Sequence, residues 1–541
     1  MRLTSTGTAQ STAVTAARPE PGPRLAPWQA LLVALAGGLA LAAAFPPAGW
    51  WPLAAVGPAL LTIALWRQRL RIALAAGLVF GLALFFPLLS WLVNVAWYAW
   101  VALAVVEAVI FAVLTAGQWL LLRLRAWPLA VAGWWVACEA VRGRWPWGGF
   151  PWGRLVMSQA TSPAVRWVAV GGPAFLTFLV ALVGACLAWL VLGPAADRTA
   201  MLRDRIVAGA ALGVAAVITL AGALLPADGG AGQTTAVVAA VQGDVPHARN
   251  LSDLVRASTV TQNHADATQQ LAARVRSGQV PAPDLVIWPE NSTDQDPGQN
   301  PIVYATIAAA VHAIGRPVLV GAVLQSPIRN AGQLWLPGRG PVQIYVKRRL
   351  VPFGEVIPFR SLLAKFTSLP SSVQPENFTP GHKAVVFRIG KIRLGDVICY
   401  EVGFDGLVSS EVSAGANLLA VQTNDADFEL DGQSGETLQQ LDMARIRAVE
   451  HNRTVVVAST TGISAIIAPD GGLLASTHTW QRAEIEARVP LRSSITLADR
   501  LGGWPEALLS WATVAAFGWA LLAAVRLRRR PGSRPSGQAA Q

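Results

Sequence analysis

The stretch Arg393-Leu394-Gly395-Asp396-Val397-Ile398-Cys399-Tyr400-Glu401 places a cysteine and a glutamate directly after a short apolar run. Its β-branched residues, bracketed by glycines, predict a strand that ends at a turn. A thiol at the end of a rigid strand is held still, while the loop that follows leaves one side open to a substrate. Cys399 is therefore a candidate nucleophile. The competing interpretation is a small hydrophobic core residue, because free cysteine is among the most buried residue types.

Composition indicates a membrane protein. Of 541 residues, 53% are hydrophobic and only 14% are charged, and the mean hydropathy is +0.43. The formal charge of +12 does not predict a nucleic-acid partner, because the arginines flank apolar segments rather than cover one polar face. Two of the three cysteines, Cys138 and Cys186, lie inside apolar segments, and no Cys/His cluster has zinc spacing. We expect no disulfide, no metal and no cofactor.

Apolar segments of about the length that spans a bilayer occur at eight places. Residues 1–26 are predicted to be a disordered cytoplasmic tail, and residues 527–541 a basic cytoplasmic tail. The membrane domain, 27–226, would contain about seven spans, and one C-terminal span would follow at 505–526. The eight segments are 27–45, 51–66, 71–92, 98–122, 127–142, 167–193, 205–226 and 505–525.

Positive charge alternates across the connections between these segments. Arginines precede the first segment and follow the second, fourth, sixth and last. Cytoplasmic loops carry the excess of Lys and Arg, so both termini are predicted to be cytoplasmic and residues 227–504 extracytoplasmic. The arginines concerned are Arg2, Arg18, Arg24, Arg67, Arg69, Arg71, Arg123, Arg125, Arg198, Arg203, Arg205, Arg526, Arg528, Arg529 and Arg530.

One connection breaks this rule. The loop 142–166 carries arginines on the predicted outer side, interleaved with aromatic residues. One interpretation is an aromatic belt with ordinary interfacial arginines. The other is a loop that dips towards the bilayer and binds phospholipid headgroups through Arg142, Trp147, Phe150, Trp152 and Arg154.

Residues 233–495 have a different pattern, in which short β-branched runs alternate with amphipathic helical segments. Such alternation predicts a layered α/β domain, and nothing in it is apolar enough to span a membrane. Strands are predicted at 235–242, 285–288, 317–323, 342–346, 384–388, 392–398, 418–422, 454–460 and 463–468, with helices at 251–277, 302–314 and 436–450.

Two further stretches place reactive groups just after predicted strands. Trp288-Pro289-Glu290-Asn291 follows the strand at 285–288, and Lys347-Arg348-Arg349 follows the strand at 342–346. Either could be a solvated surface feature. Together with Cys399 they would supply acyl-transfer chemistry: Glu290 takes the thiol proton, Lys347 lowers the thiol pKa and balances the oxyanion, and the sulfur forms a thioester.

These stretches carry a resemblance. WPEN at 288–291, YVKRRLVPFGEVIPF at 345–359 and ICYEVGF at 398–404 are similar to the Glu, Lys and Cys motifs of the nitrilase (carbon–nitrogen hydrolase) superfamily. FPPAGWWPLA at 45–54, GLVFGLALF at 77–85, GGFPWGRLVMSQ at 148–159 and VQGDVP at 241–246 resemble its membrane-bound family of apolipoprotein N-acyltransferases. The resemblance covers residues from about 30 to about 525.

The resemblance implies a polytopic α-helical membrane protein that carries an extracytoplasmic nitrilase-like α-β-β-α sandwich, in the bacterial cytoplasmic membrane. It implies transfer of an acyl chain from a phospholipid, through a thioester on Cys399, to the amine of diacylglyceryl-cysteine in a lipoprotein. Glu290 would be the base and Lys347 the oxyanion cation, with Glu355, Tyr400 and Glu401 in support. We expect a monomer.

The sequence departs from the family pattern at positions that we associate with lids and acceptor contacts. These are Leu251, Asp427, Glu429 and Gln440, where many members have other residues. Two alternatives remain at this stage: a membrane-tethered amidase that uses water in place of an amine, and a non-catalytic scaffold for an envelope glycosyltransferase.

Overall fold

The computed structural model describes residues 25–192, 198–226, 234–246, 253–365, 375–426, 428 and 435–529. The first seven apolar segments each form an α-helix. Short 3₁₀ helices at Ser90–Asn94, Leu155–Gln159, Val165–Trp167 and Ala221–Leu224 lie between or after them. The helices are α1 (Pro27–Ala43), α2 (Leu53–Leu65), α3 (Leu70–Leu88), α4 (Trp97–Leu121), α5 (Trp127–Arg142), α6 (Val168–Leu192) and α7 (Arg198–Leu220).

Among the described residues that follow α7, twelve strands form two six-stranded sheets. The first sheet has the order β12-β1-β2-β3-β4-β5 and the second β11-β10-β9-β8-β7-β6. The strands are β1 (Thr235–Gln242), β2 (Leu285–Ile287), β3 (Val318–Leu324), β4 (Arg329–Leu336), β5 (Gly340–Val346), β6 (Val386–Ile389), β7 (Ile392–Ile398), β8 (Leu418–Thr423), β9 (Val455–Ser459), β10 (Ala465–Ile467), β11 (Leu473–Ser476) and β12 (Ala483–Pro490).

Helices cover the outer faces of both sheets. The first sheet packs apolar side chains against α8 (Asp253–Arg276) and α9 (Pro301–Ile314). The second packs against α11 (Asp405–Ser413) and α12 (Gly435–His451). Apolar residues of the two inner faces, Ile287 and Ile398 among them, form the core between the sheets. The α-β-β-α sandwich is confirmed. The helices are α8 (Asp253–Arg276), α9 (Pro301–Ile314), α10 (Arg360–Leu363), α11 (Asp405–Ser413), α12 (Gly435–His451), α13 (Leu497–Leu501) and α14 (Trp504–Arg529).

Five of the described helices are long and apolar enough to cross a membrane: Leu70–Leu88, Trp97–Leu121, Val165–Leu192, Leu202–Leu224 and Trp504–Arg526. The other three predicted spans are helical but shorter, with 17 residues in α1, 13 in α2 and 16 in α5. The protein is a membrane protein that carries a nitrilase-like domain, while a count of eight spans stays a prediction.

Small residues let the membrane helices approach closely. A Cβ at Gly38 of α1 would lie 2.3 Å from the backbone oxygen of Phe80 in α3, and one at Gly81 would lie 2.8 Å from Cα of Ala108 in α4. Close backbone approach of this kind stabilises helix pairs in lipid, where no hydrophobic driving force acts between helices.

Three strands, β4, β11 and β12, are absent from the sequence prediction. Strand β4 reads RNAGQLWL, and its asparagine, glycine and glutamine are typical of a loop. Every residue of β12 from 483 to 490 pairs antiparallel with β1, although the strand is mostly half-buried and carries two glutamates. Pairing with distant strands overrides weak local preferences.

The α/β domain rests on the membrane helices. Gln439 of α12 donates to the carbonyl oxygen of Leu88 at the end of α3, at 3.0 Å. Asn94, between α3 and α4, donates to the carbonyl oxygen of Phe428 at 2.8 Å, and the ring of Phe428 packs edge-on against Trp91 at 5.3 Å. These contacts place the α/β domain over the end of α3 and the start of α4.

Candidate active site

Cys399 lies at the end of β7, where the chain turns into a 3₁₀ helix, Cys399–Gly403. Its backbone is in the left-handed region, with φ of 51°. This conformation is uncommon for a residue with a side chain and persists only where the surrounding structure holds it. Cys399 is 7% exposed and lies at the border of the core between the two sheets.

Lys347 lies between two carboxylates. Its ammonium nitrogen is 2.8 Å from Oε1 of Glu290 and 3.0 Å from Oε1 of Glu355, and its side chain is 1% exposed. Glu290 follows β2, and Lys347 follows β5, which runs in the same direction as β2 and β3. The two groups therefore meet at one edge of the sheet.

Asn330 is part of this cluster and is not among the site residues predicted from the sequence. Its amide nitrogen donates to Glu290 at 2.6 Å and to Glu355 at 2.8 Å. It lies on β4, the strand that has no clear sequence signal, so nothing local marked it. The backbone N–H of Asn424, after β8, donates to Oε2 of Glu290 at 3.0 Å. Both oxygens of Glu290 are thus fixed.

Glu401 connects the lysine segment to the cysteine segment. One of its oxygens accepts hydrogen bonds from the backbone N–H groups of Arg348 and Arg349, at 2.7 and 3.0 Å. The other accepts from the N–H of Ile398 at 2.9 Å and from the hydroxyl of Tyr345 at 2.8 Å. The carboxylate therefore fixes the residue after Lys347 relative to the residue before Cys399.

The pKa values of Glu290, Lys347 and Cys399 all differ from the ordinary values of these groups. Burial raises the pKa of Glu290; Lys347 opposes the rise and Glu355 adds to it. Burial alone would lower the pKa of Lys347, but the two carboxylates outweigh it and hold that pKa well above its ordinary value. Burial, with Glu290 beside it, raises the pKa of the Cys399 thiol well above the ordinary value, and Lys347 offsets only part of this. Lys347 thus lowers the pKa of the thiol, as expected, but burial and Glu290 outweigh it.

The basic run is not uniformly solvated. Arg348 is half-buried and donates to Glu411 at 2.6 Å and to Ser410 at 2.9 Å. Arg349 is exposed, and its guanidinium lies over the ring of Phe404 at 5.2 Å. The surface interpretation is therefore wrong for the first two residues of Lys347-Arg348-Arg349 and fits only the third.

The arginines of the loop 142–166 have interior partners. Arg142 is 3% exposed and its Nε lies 2.6 Å from Glu107 of α4. Arg154 is 6% exposed and donates to Asp405 of α11 at 2.8 Å. A guanidinium that is buried against a carboxylate cannot also bind a lipid headgroup. The prediction that Arg142 and Arg154 bind phospholipid is therefore wrong. An acidic residue inside an apolar helix, such as Glu107, was the signal for such a partner.

The aromatic residues of this loop pack on the residue after the nucleophile. Trp152 and Tyr400 stack with ring centroids 5.5 Å apart, and Phe150 stacks on Trp152 at 5.4 Å. The Tyr400 hydroxyl donates to the carbonyl oxygen of Gly149 at 2.7 Å. Trp147 is 43% exposed and contacts Phe353 edge-on. The loop thus covers one side of the Cys399 turn, whereas a lipid-binding role for its aromatic residues stays a prediction.

Two family models and several curated proteins match this chain in sequence. Residues 37–186 match the family model of the apolipoprotein N-acyltransferase N-terminal domain, and residues 237–498 match that of carbon-nitrogen hydrolases. An apolipoprotein N-acyltransferase from Mycolicibacterium smegmatis is 36% identical over 90% of this chain and 84% of its own. One from Azotobacter vinelandii is 32% identical over 93% and 97%. The chain belongs to the apolipoprotein N-acyltransferase family.

One solved structure is similar to part of this N-acyltransferase family member. It is an amidase of the nitrilase superfamily from Nesterenkonia AN1, at 18% identity over 48% of this chain and 92% of its own, with a TM-score of 0.35.

Gln440 is the departure from the N-acyltransferase pattern that the structure can describe. Its side-chain nitrogen lies 3.6 Å from Sγ of Cys399 and 3.3 Å from Glu436. It therefore contacts the nucleophile itself. The other departures, Leu251, Asp427 and Glu429, lie outside the described residues.

Arg447 of α12 holds the turn that follows the nucleophile. Fully buried, it donates to the carbonyl oxygens of Val402 at 2.9 Å and Gly403 at 3.3 Å, and to Asp405 at 2.6 Å. Nothing in the sequence marks this residue of the N-acyltransferase family member, since an arginine on an amphipathic helix usually faces solvent. Within the described part of the chain, no group of three His, Cys, Asp or Glu side chains could hold a metal ion.

Proposed function

We propose that the protein transfers a fatty acyl chain from a membrane phospholipid to the α-amino group of the diacylglyceryl-cysteine that begins a lipoprotein. Membership of the family supports the overall reaction. The observation that carries the residue roles is the pairing of Lys347 with Glu290 and Glu355 in a buried cluster tied by Glu401 to the Cys399 turn.

In the first half-reaction, Glu290 accepts the thiol proton as Sγ of Cys399 attacks the ester carbonyl carbon of the phospholipid. The ammonium of Lys347 balances the charge on the carbonyl oxygen. The carbon–oxygen ester bond breaks, the proton moves from Glu290 to the departing oxygen, and a lysophospholipid leaves. The acyl chain remains on Cys399 as a thioester.

In the second half-reaction, the amine of the lipoprotein attacks the thioester carbonyl. Glu290 accepts a proton from the amine, the carbon–sulfur bond breaks, and the proton returns to the sulfur. Burial raises the pKa of the Cys399 thiol, so a base must take its proton as the sulfur attacks. Burial also raises the pKa of Glu290, which favours its role in taking a proton and returning it.

The experiment is a mass measurement on the purified full-length protein mixed with phospholipid alone. Cys399 should gain the mass of one acyl chain, hydroxylamine should remove it, and a diacylglyceryl-cysteinyl peptide should receive it on its amine. Cys399→Ala should gain nothing, and Glu290→Gln should acylate slowly. A folded protein that never acquires the adduct would contradict the proposal, and equally fast discharge by water would favour an amidase.

We also propose that the α/β domain lies on the extracytoplasmic face, as the arginine distribution supports. In a background without native cysteines, a single cysteine replacing Leu70 should react with an impermeant reagent only from inside. One replacing Ser277 should react only from outside. Reaction of both from the same side would overturn this orientation.

A further inference from the structure

A cavity lies at the end of the membrane domain that faces away from the α/β domain. It is an open groove of about 1140 Å³ between the α2–α3 turn, the last turns of α4 and the end of α14. Helix α3 has 19 residues and is therefore about 28 Å long. Its far end, Leu88, contacts α12 of the α/β domain, so the groove is remote from Cys399.

The rim of the groove is basic. Arg67 and Arg69 of the α2–α3 turn and Arg123 after α4 line it, and none of its lining residues is acidic. Arg123 lies over the ring of Trp119 with its guanidinium carbon 4.2 Å from the centroid. Trp119 in turn donates to the carbonyl oxygen of Gln68 at 2.7 Å. The aromatic ring thus holds one arginine beside the turn that carries the other two.

The walls of the groove are apolar and open. Leu70, Val113 and Leu521 line it, and they are 43%, 63% and 47% exposed. Its floor is built by Trp134, which stacks on Phe517 of α14 at 5.4 Å. A Cβ at Gly117 would lie 2.0 Å from the ring of Trp134, so only glycine at position 117 leaves the tryptophan in this place.

We propose that this groove binds one anionic phospholipid, with its phosphate on the arginine rim and its acyl chains along the apolar walls. Charge complementarity selects this occupant, because arginine binds phosphate oxygens with several donors in a fixed geometry. A lipid here lies in the leaflet opposite the α/β domain, so its esters cannot reach Cys399. It is a different molecule from the acyl donor and it stabilises the packing of α14 on α4 and α5.

The test is native mass spectrometry of the full-length protein titrated with phosphatidylglycerol or phosphatidylethanolamine of identical chains. The first phosphatidylglycerol should bind more tightly than phosphatidylethanolamine. Arg67→Gln with Arg123→Gln should abolish that preference, at about fivefold in Kd for each arginine removed. The matched control is Arg71→Gln with Arg125→Gln. Arg71, in the first turn of α3, and Arg125, after α4, are exposed and do not line the groove. It should shift Kd less than about twofold.

Folding is controlled by Arg67→Lys with Arg123→Lys, which keeps both charges and should keep the preference for the anionic lipid. Equal binding of the two lipids by the wild-type protein would overturn the proposal. So would an equal loss of preference in the two glutamine pairs, which would indicate general attraction to the membrane surface. Displacement of the lipid by soluble glycerol 3-phosphate would overturn it as well, because the apolar walls would then contribute nothing.

Discussion

The carboxylate of Glu401 accepts a 2.7 Å hydrogen bond from the backbone N–H of Arg348. The same side chain accepts one from Ile398 at 2.9 Å. Two segments about 50 residues apart in sequence, one ending in Lys347 and the other in Cys399, are thereby held by a single buried side chain. The alignment of cation and nucleophile therefore depends on a residue that need not touch the substrate.

Replacement of Glu401 by Gln should slow acylation of Cys399 by about 100-fold. The carboxylate accepts from three backbone N–H groups and the Tyr345 hydroxyl, and an amide would turn its NH₂ group towards some of these donors. We expect kcat for acyl transfer to fall while KM for phospholipid stays within about twofold. Glu484→Gln, at a partly exposed ion pair with Arg274, is the control and should leave both constants unchanged. A change confined to KM would contradict a positioning role.

Lys347→Arg should lose most activity, because a planar guanidinium cannot fit where a compact ammonium lies between two carboxylates. We expect the rate of thioester formation to fall by at least about 100-fold. The matched variant is Arg349→Lys, two residues on and exposed, which should keep more than half of the activity. Similar mild losses in both would remove Lys347 from the chemistry.

The pH dependence of acylation should report on Glu290. Burial raises its pKa above the ordinary value of 4.5, and the base acts only when ionised, so the rate should be lost as the pH falls through this raised pKa. Glu355 adds to the rise, so Glu355→Gln should move the acid limb to lower pH. Single-turnover acylation rates measured across pH test this. An acid limb that moves to higher pH in Glu355→Gln would contradict this assignment.

Gln440→Ala should slow acylation by about tenfold, because the amide 3.6 Å from Sγ helps to orient the thiol. Gln440→His keeps an N–H donor and should recover activity to within about threefold of the wild type. Mass spectrometry of the thioester over time gives both rates. If alanine and histidine variants acylate equally well, the amide does not orient the sulfur.

Arg154→Gln should destabilise the protein by about 3–5 kcal/mol, because buried Glu139 loses the guanidinium 3.7 Å away while Asp405 keeps Arg447. Arg144 lies in the same loop and also pairs with an acid, Glu506, but its side chain is 65% exposed, so Arg144→Gln should cost less than about 1 kcal/mol. Unfolding of the two variants in the same detergent measures the difference. Equal losses would show that burial does not distinguish these pairs.

Local sequence was sufficient for much of this protein. Apolar segments of spanning length and alternating strand and helix patterns predict a membrane domain and a layered α/β domain, because composition and period act over a few residues. The short apolar runs that precede Glu290, Lys347 and Cys399 are also enough to predict that each residue follows a strand. Glu290 and Lys347 follow strands of the first sheet that run in the same direction, whereas Cys399 follows a strand of the second sheet.

Only the tertiary structure decided which groups are partners. Arg154 pairs with Asp405, 251 residues away, so a loop that looks basic in sequence is neutralised in the fold. Asn330 enters the site on a strand that only pairing with its neighbours defines. Even the state of the thiol depends on burial, which raises its pKa more than Lys347 lowers it. Charge and burial act through space between residues distant in the chain, and their outcome follows from the packing rather than from any one segment.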